Sequence, residues 1–200
     1  MLKIGDIAMD PISKDIALKF CELCNWVYET WVTHKFLFDE NKTPADNIGK
    51  SPYFTNRLSI ITQEYCLQQI AKLHDPAIQG NSSNLTVDYM IRFGEWGGRA
   101  DDIKKIHDEL LSLWERLKPA RNKALAHNDL ETLMAGTALG SFPEGTDEKY
   151  FAALQALVNE VHEKWVGGPC SFNELAKADV EEFLALFERG CLPGQDVNSR

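Results

Sequence analysis

The stretch that decides the fold is Ile103-Lys104-Lys105-Ile106-His107-Asp108-Glu109-Leu110-Leu111-Ser112-Leu113-Trp114-Glu115-Arg116-Leu117. Its apolar residues Ile103, Ile106, Leu110, Leu113, Trp114 and Leu117 return at steps of three and four. That spacing lays one stripe along an α-helix and leaves the charged residues on the opposite face. A strand would need alternation at every second residue, which is absent. Downstream, Pro119 interrupts or restarts the helix, and helical sequence continues to about Met134. Upstream, Gly94-Glu95-Trp96-Gly97-Gly98 breaks a short helical piece that Thr86 caps and that ends near Phe93.

The flanks carry the same period. Ile16, Phe20, Leu23, Val27 and Trp31 define a helix over about Ile12 to Phe38, followed by a polar loop from Asp39 to Gly49. Ser51-Pro52 offers a cap and a first-turn proline for a helix that His74-Asp75-Pro76 ends. In that helix Leu58, Ile61, Tyr65, Ile70 and Leu73 are expected to face inward. Gln79 to Asn84 is turn chemistry, and Gly136 to Thr146 is a second loop. A fifth helix carries Phe151, Leu154, Leu157, Val158, Val161 and Trp165 and stops at Gly167-Gly168-Pro169. Ser171 with Glu174 reads as a capping box for a last helix through Phe187. The expectation is an all-α antiparallel bundle of about five to six helices. It forms a single domain over 1–200, with its core at about 12–134 and C-terminal helices at about 147–188.

Composition narrows the function classes. The 200 residues hold 21 basic and 30 acidic side chains, a net charge of −9. With 44% apolar and 26% charged residues, wholesale disorder is excluded. No run approaches the roughly 18 apolar residues of a membrane span, and the first residues lack an apolar signal, so a cytoplasmic location away from membranes is expected. Five cysteines are an odd number. Cys21 and Cys24 form a CxxC inside a helical pattern with no second pair to complete a zinc site, which reads as free core thiols. The acidic balance argues against a tight polyanion binder, although Arg99 to His127 carries a net +2 and Pro143 onward a net −6. An anionic partner belongs near the middle of the chain.

Metal and cofactor motifs are missing. The residues three before each histidine are Trp31, Ala71, Lys104, Ala124 and Asn159, so no Glu-x-x-His ligand pair exists. There is no His-Glu-x-x-His, no Gly-rich phosphate loop and no Gly-x-Ser-x-Gly elbow. No cofactor and no metal are expected. His74-Asp75 and His107-Asp108 read as solvated surface, and Trp96 as a loop aromatic folded onto the core or stacked on a base.

The chemically informative segment is Pro119-Ala120-Arg121-Asn122-Lys123-Ala124-Leu125-Ala126-His127-Asn128-Asp129. Arg121 offers a planar fork for phosphate and His127 exchanges a proton near neutral pH. Lys118 and Lys123 are further phosphate anchors or ordinary solvated lysines. In an ideal helix Arg121 and His127 are separated by roughly 9 Å of rise and about 120° of rotation. A two-fold axis joining two copies would bring them together, which makes a homodimer the expected assembly. The structural alternative pairs Arg121 with Glu115 or Asp129 and half-buries His127 in the core.

Arg121-Asn122-Lys123, then Ala126-His127-Asn128-Asp129, after a long amphipathic helix, resembles the motif of the HEPN superfamily. Gln69-Ile70-Ala71-Lys72-Leu73-His74-Asp75-Pro76 followed by Asn84-Leu85-Thr86 resembles its abortive-infection AbiU branch. The resemblance spans roughly Phe20 to Met134. It implies an α-helical bundle, often dimeric, acting as a metal-independent endoribonuclease in toxin or phage-defence systems. By position, Arg121 would stabilise the scissile phosphate, His127 would be the acid or base, and Asn122 would orient the phosphate or the imidazole. An antitoxin partner is implied for some members. The Tyr that one antitoxin class modifies is replaced here by Asp129. Other members are non-catalytic modules that bind nucleotide or RNA, or mediate dimerisation or protein interaction.

Overall fold

The amphipathic stretch around Leu110 is the centre of a helix running Ala100–Ala120, and its stripe is buried: Ile103, Leu110, Leu113, Trp114 and Leu117 are all in the core. This computed structural model of the chain describes residues 12–39, 51–125, 131, 134 and 141–190. Within them the fold is all-α. The helices are α1 (Lys14–His34), α2 (Pro52–Leu73), α3 (Val87–Phe93), α4 (Ala100–Ala120), α5 (Thr146–Trp165) and α6 (Leu175–Gly190). A two-stranded hairpin, Ile78–Gln79 against Ser82–Ser83, is the turn expected after α2, with Gly80 at φ +61°. Residues 40–49 and 136–140 of the two expected loops, and Cys191, lie outside the described residues.

Contacts divide the chain into two compact units, Met1–Cys24 with Ile70–Ser171, and Asn25–Gln69 with Phe172–Arg200. Two boundaries fall inside α1 and α2 and the third between α5 and α6. In the first unit α4 packs along α5, whose Tyr150, Leu154, Leu157, Val158 and Val161 are wholly enclosed. Each such aliphatic side chain contributes about 1.5–3 kcal/mol of burial. Phe20, Cys21 and Cys24 of α1 are buried as well, so the CxxC does supply core thiols. Burial pushes the Cys21 thiol up to about 12 and raises Cys24 well above its usual range.

The glycine-rich break before α4 closes around Trp96. Its indole N–H donates to the Met90 carbonyl at 3.1 Å, and the ring meets Trp165 edge-on. Lys164 donates to the Gly94 and Glu95 carbonyls while lying over both indoles. Gly94 is required by close approach, since a Cβ there would run into the Trp96 ring and the Met90 carbonyl. Trp96 is therefore a core residue and no stacking platform. Thr86 caps α3 as expected, accepting from Tyr89 N at 3.3 Å.

In the second unit the chain entering α6 is tied to α1. Asn25 Oδ1 accepts from Asn173 N, Glu29 accepts from the Asn173 amide, and Tyr28 stacks on Phe172 at 4.7 Å. The expected capping box is replaced. Asn173 Oδ1 accepts from Leu175 N at 3.2 Å, and Glu174 is engaged by the Tyr28 hydroxyl at 2.9 Å. On α2 the expected inward positions Ile61 and Tyr65 instead face solvent. Ile70 and Leu73 are buried as expected and Leu58 is partly so, while Thr62 and Cys66 take the inward places expected of Ile61 and Tyr65. Thr62 sits inside because its hydroxyl meets His34 Nδ1 at 2.8 Å, a polar contact that apolar periodicity cannot register.

Candidate functional site

Pro119 does not stop α4. It has no N–H to give to the carbonyl of Glu115, and the helix widens directly after it into a π turn over Arg121–Leu125. Arg121 opens that turn, its N–H shared between the Leu117 and Lys118 carbonyls. Over Arg121–Leu125 the backbone therefore departs from the ideal helix assumed for the Arg121–His127 spacing. His127, Asn128 and Asp129 lie outside the described residues.

The Arg121 guanidinium is held from two sides. Nη1 donates to Asn122 Oδ1 at 3.0 Å, and Nη2 donates to Asp75 Oδ1 at 3.4 Å. The Arg121 side chain stays 41% exposed, so N–H donors beyond those two reach solvent. The carboxylate partner is thus Asp75, and the expected pairing with Glu115 is not made. Glu115 instead lies 3.8 Å from Lys118 Nζ. Asn122 and Lys123 are exposed beside Arg121. The structure brings Arg121 and Asn122 together, with Lys118 and Lys123 on neighbouring positions.

Asp75 is delivered by the end of α2. Pro76 disfavours helical geometry at the residue before it, and the last turn closes with His74 N donating to Ala71 O at 3.0 Å. His74 then goes inward rather than to solvent. Its ring stacks on Trp114 at 5.1 Å and 7°, and Nε2 shares a hydrogen bond of 3.0 Å with the Tyr150 hydroxyl. Tyr150 has no exposed surface, so His74 satisfies a hydroxyl that water cannot reach. Burial, with the nearby His107 adding to it, drives the His74 imidazole down to about 3. It is neutral at physiological pH. The solvated-surface reading fails at this residue because its partners lie 40 and 76 positions away and leave no local trace.

Chemically, the arrangement is a forked cation on a helix surface, steadied by one carboxylate and one amide, with the neutral His74 packed against Trp114 and Tyr150 next to Asp75 in the chain. It can hold an oxyanion of phosphate size without further charge. Among the described residues no helix is long and apolar enough to cross a membrane. Searches of curated proteins and of solved structures give no match. The sequence profile of one family, described as AbiU2, covers residues 12–186. That span includes both the α2 terminus carrying Asp75 and the turn carrying Arg121, and the chain belongs to the AbiU2 family of abortive-infection-related HEPN domains.

Proposed function

We propose that this chain is a metal-independent endoribonuclease of a toxin or phage-defence system, cytoplasmic, that cleaves RNA by attack of a ribose 2′-hydroxyl. The 2′-oxygen bonds to phosphorus, the bond to the 5′-oxygen breaks, and a cyclic phosphate and a 5′-hydroxyl result. A base removes the 2′ proton and an acid supplies one to the 5′-oxygen. Arg121 stabilises charge on the phosphoryl oxygens, Asn122 orients it, and His127 serves as the acid or base. Lys118 and Lys123 add local positive charge. A homodimer would let each motif be completed by the other copy.

The observation that carries this reading is the half-exposed Arg121 guanidinium, oriented by Asp75 and Asn122 at the head of the turn leading to His127. The test is total RNA incubated in chelator with wild type, Arg121→Ala and His127→Ala. Cleavage by wild type and a loss of about a hundredfold or more in each variant are expected. Activity that survives either substitution, or that chelator abolishes, overturns the mechanism.

A second reading is favoured by the same ion pair. Asp75 already offers Arg121 an anion, and the net charge of −9 opposes a long RNA. In that case the site is a non-catalytic module that takes a nucleotide or RNA, or mediates dimerisation or protein interaction. A rise in melting temperature with nucleotides but without turnover distinguishes it.

A further inference from the structure

Two cysteines far apart in sequence, Cys21 on α1 and Cys170 in the connector between α5 and α6, are docked on the same stretch of α5. The Cys21 thiol donates to the Val158 carbonyl at 4.0 Å. The Cys170 N–H donates to Asn159 Oδ1 at 3.1 Å, and the Cys170 carbonyl accepts from Gln155 Nε2 at 2.7 Å. Val158 and Asn159 are consecutive, and Gln155 lies one turn before Asn159 on the same helix face. Gln155 also donates to Asn159 Oδ1 at 3.1 Å, so the two side chains that seat Cys170 brace each other.

The two thiols differ in access. Cys170 is partly open to solvent, whereas Cys21 is 5% exposed. Ionisation of Cys21 is opposed first by burial and next by the charge of Cys170, an influence that requires the two sulfurs to be near each other. For Cys24, one turn further along α1, the neighbouring thiol is Cys21. Cys21 and Cys170 both belong to the first unit. Among the described residues no group of three or more His, Cys, Asp or Glu is placed to hold a metal ion. The fold therefore assembles a pair of thiols, one reachable and one enclosed.

From their shared seat on α5 we propose that Cys170 and Cys21 form a reversible intrachain disulfide when the chain meets hydrogen peroxide. In the first step the Cys170 sulfur bonds to one peroxide oxygen and the O–O bond breaks. Cys170 becomes a sulfenic acid, and the other oxygen leaves as water with the thiol proton. In the second step the Cys21 sulfur attacks the Cys170 sulfur. The S–O bond breaks, the S–S bond forms, and the departing hydroxide takes the Cys21 proton to give a second water. The two thiols lose two electrons and two protons, and the peroxide gains them. Burial keeps Cys21 in its thiol form, so the second step is slow and sustained exposure accumulates the cross-link. The bond ties α1 to the connector and closes a loop of about 150 residues. It uses none of the residues of the proposed nuclease site, so the two readings are tested separately.

The experiment takes the reduced full chain through about an hour in a modest excess of hydrogen peroxide, followed by alkylation with N-ethylmaleimide in denaturant. Cleavage after Glu22 separates Cys21 from Cys24, so peptide mapping without reductant identifies the thiol joined to Cys170. The expected product is a single chain two hydrogens lighter, with its Cys21 and Cys170 peptides linked, that dithiothreitol returns to the starting mass. Wild type carries this test, so no variant has to fold. Cys170→Ser should lose the cross-link, and Cys191→Ser should keep it. The same oxidation in concentrated urea should show no preference for this pair, because the preference comes from the fold. Cys170 advancing to sulfinic acid while Cys21 remains alkylated overturns the proposal. So does Cys170 linking to Cys24, Cys66, Cys191 or a second chain in place of Cys21, or an equal yield of the pair in urea.

Discussion

Asp75 Oδ1 lies 3.4 Å from Arg121 Nη2, joining a residue two positions past the end of α2 to the residue that opens the π turn after α4. The contact is long for a charge-assisted hydrogen bond and both side chains are partly exposed, so it aims the guanidinium more than it stabilises the fold. Asp75 also competes with any incoming anion. Asp75→Asn keeps the shape and removes the charge. Binding of a fluorescent nucleotide or short RNA should tighten about two- to tenfold, while Arg121→Ala should abolish it. Unchanged affinity in the Asn variant, read by anisotropy at fixed salt, would show that the carboxylate does not contest the site.

Stability should fall with acidity because of His74. The folded state holds this imidazole near 3, well below the ordinary value of 6.5, so between those values the unfolded chain takes up a proton that the folded chain refuses. Unfolding free energy therefore decreases as pH drops below about 6.5, by up to about 1.4 kcal/mol per pH unit from this group. His34, depressed by its own burial, acts in the same direction. Urea titrations from pH 7 to pH 4 should show the slope, and His74→Gln should flatten it. A wild-type profile that is level over this range would contradict the packed, neutral imidazole.

The Gly94–Trp96 closure predicts two distinct losses. Gly94→Ala forces a methyl into the indole and should cost about 1–3 kcal/mol. Trp96→Ala removes a core side chain together with its hydrogen bond and should cost about 3–5 kcal/mol. Thermal melts of both variants would test this. A Trp96 variant as stable as wild type would mean that the ring is not part of the core.

Thiol chemistry offers a direct measure of burial. Cys21, Cys24 and Cys66 are enclosed, while Cys170 is only partly so. A thiol-reactive reagent should modify Cys170 well before these three, which should react on the unfolding timescale. Mass mapping after brief labelling would reveal the order. Early labelling at Cys21 or Cys24 would argue that the CxxC is open and reactive.

Much of the fold was legible because it rests on apolar period and local punctuation. Pro52 and Leu73 bound α2 as Ser51-Pro52 and Pro76 imply, and Thr86 caps α3. What escaped were decisions made by distant polar partners. Thr62, through its contact with His34, takes the inward place expected of Ile61, and Ile61 and Tyr65 are left exposed. His74 was drawn inside by Tyr150 and Trp114, and Asp75 was turned to Arg121. At the candidate site Arg121 and Asn122 were identified by residue type and order, but the carboxylate that orients Arg121 was not. It sits 46 residues upstream, in a stretch read for its resemblance and for surface charge.

The π turn over Arg121–Leu125 has a consequence for how tightly this region is bound to its present length. A helix that holds one surplus residue in a single turn can give that residue up and remain a helix. Deleting Ala124 should therefore be tolerated by the backbone, because four residues of α-helix cover nearly the rotation of five in a π turn, and Arg121 can stay fastened to Asp75. The widened turn is slack in the chain, a place where its length can change while the guanidinium stays anchored.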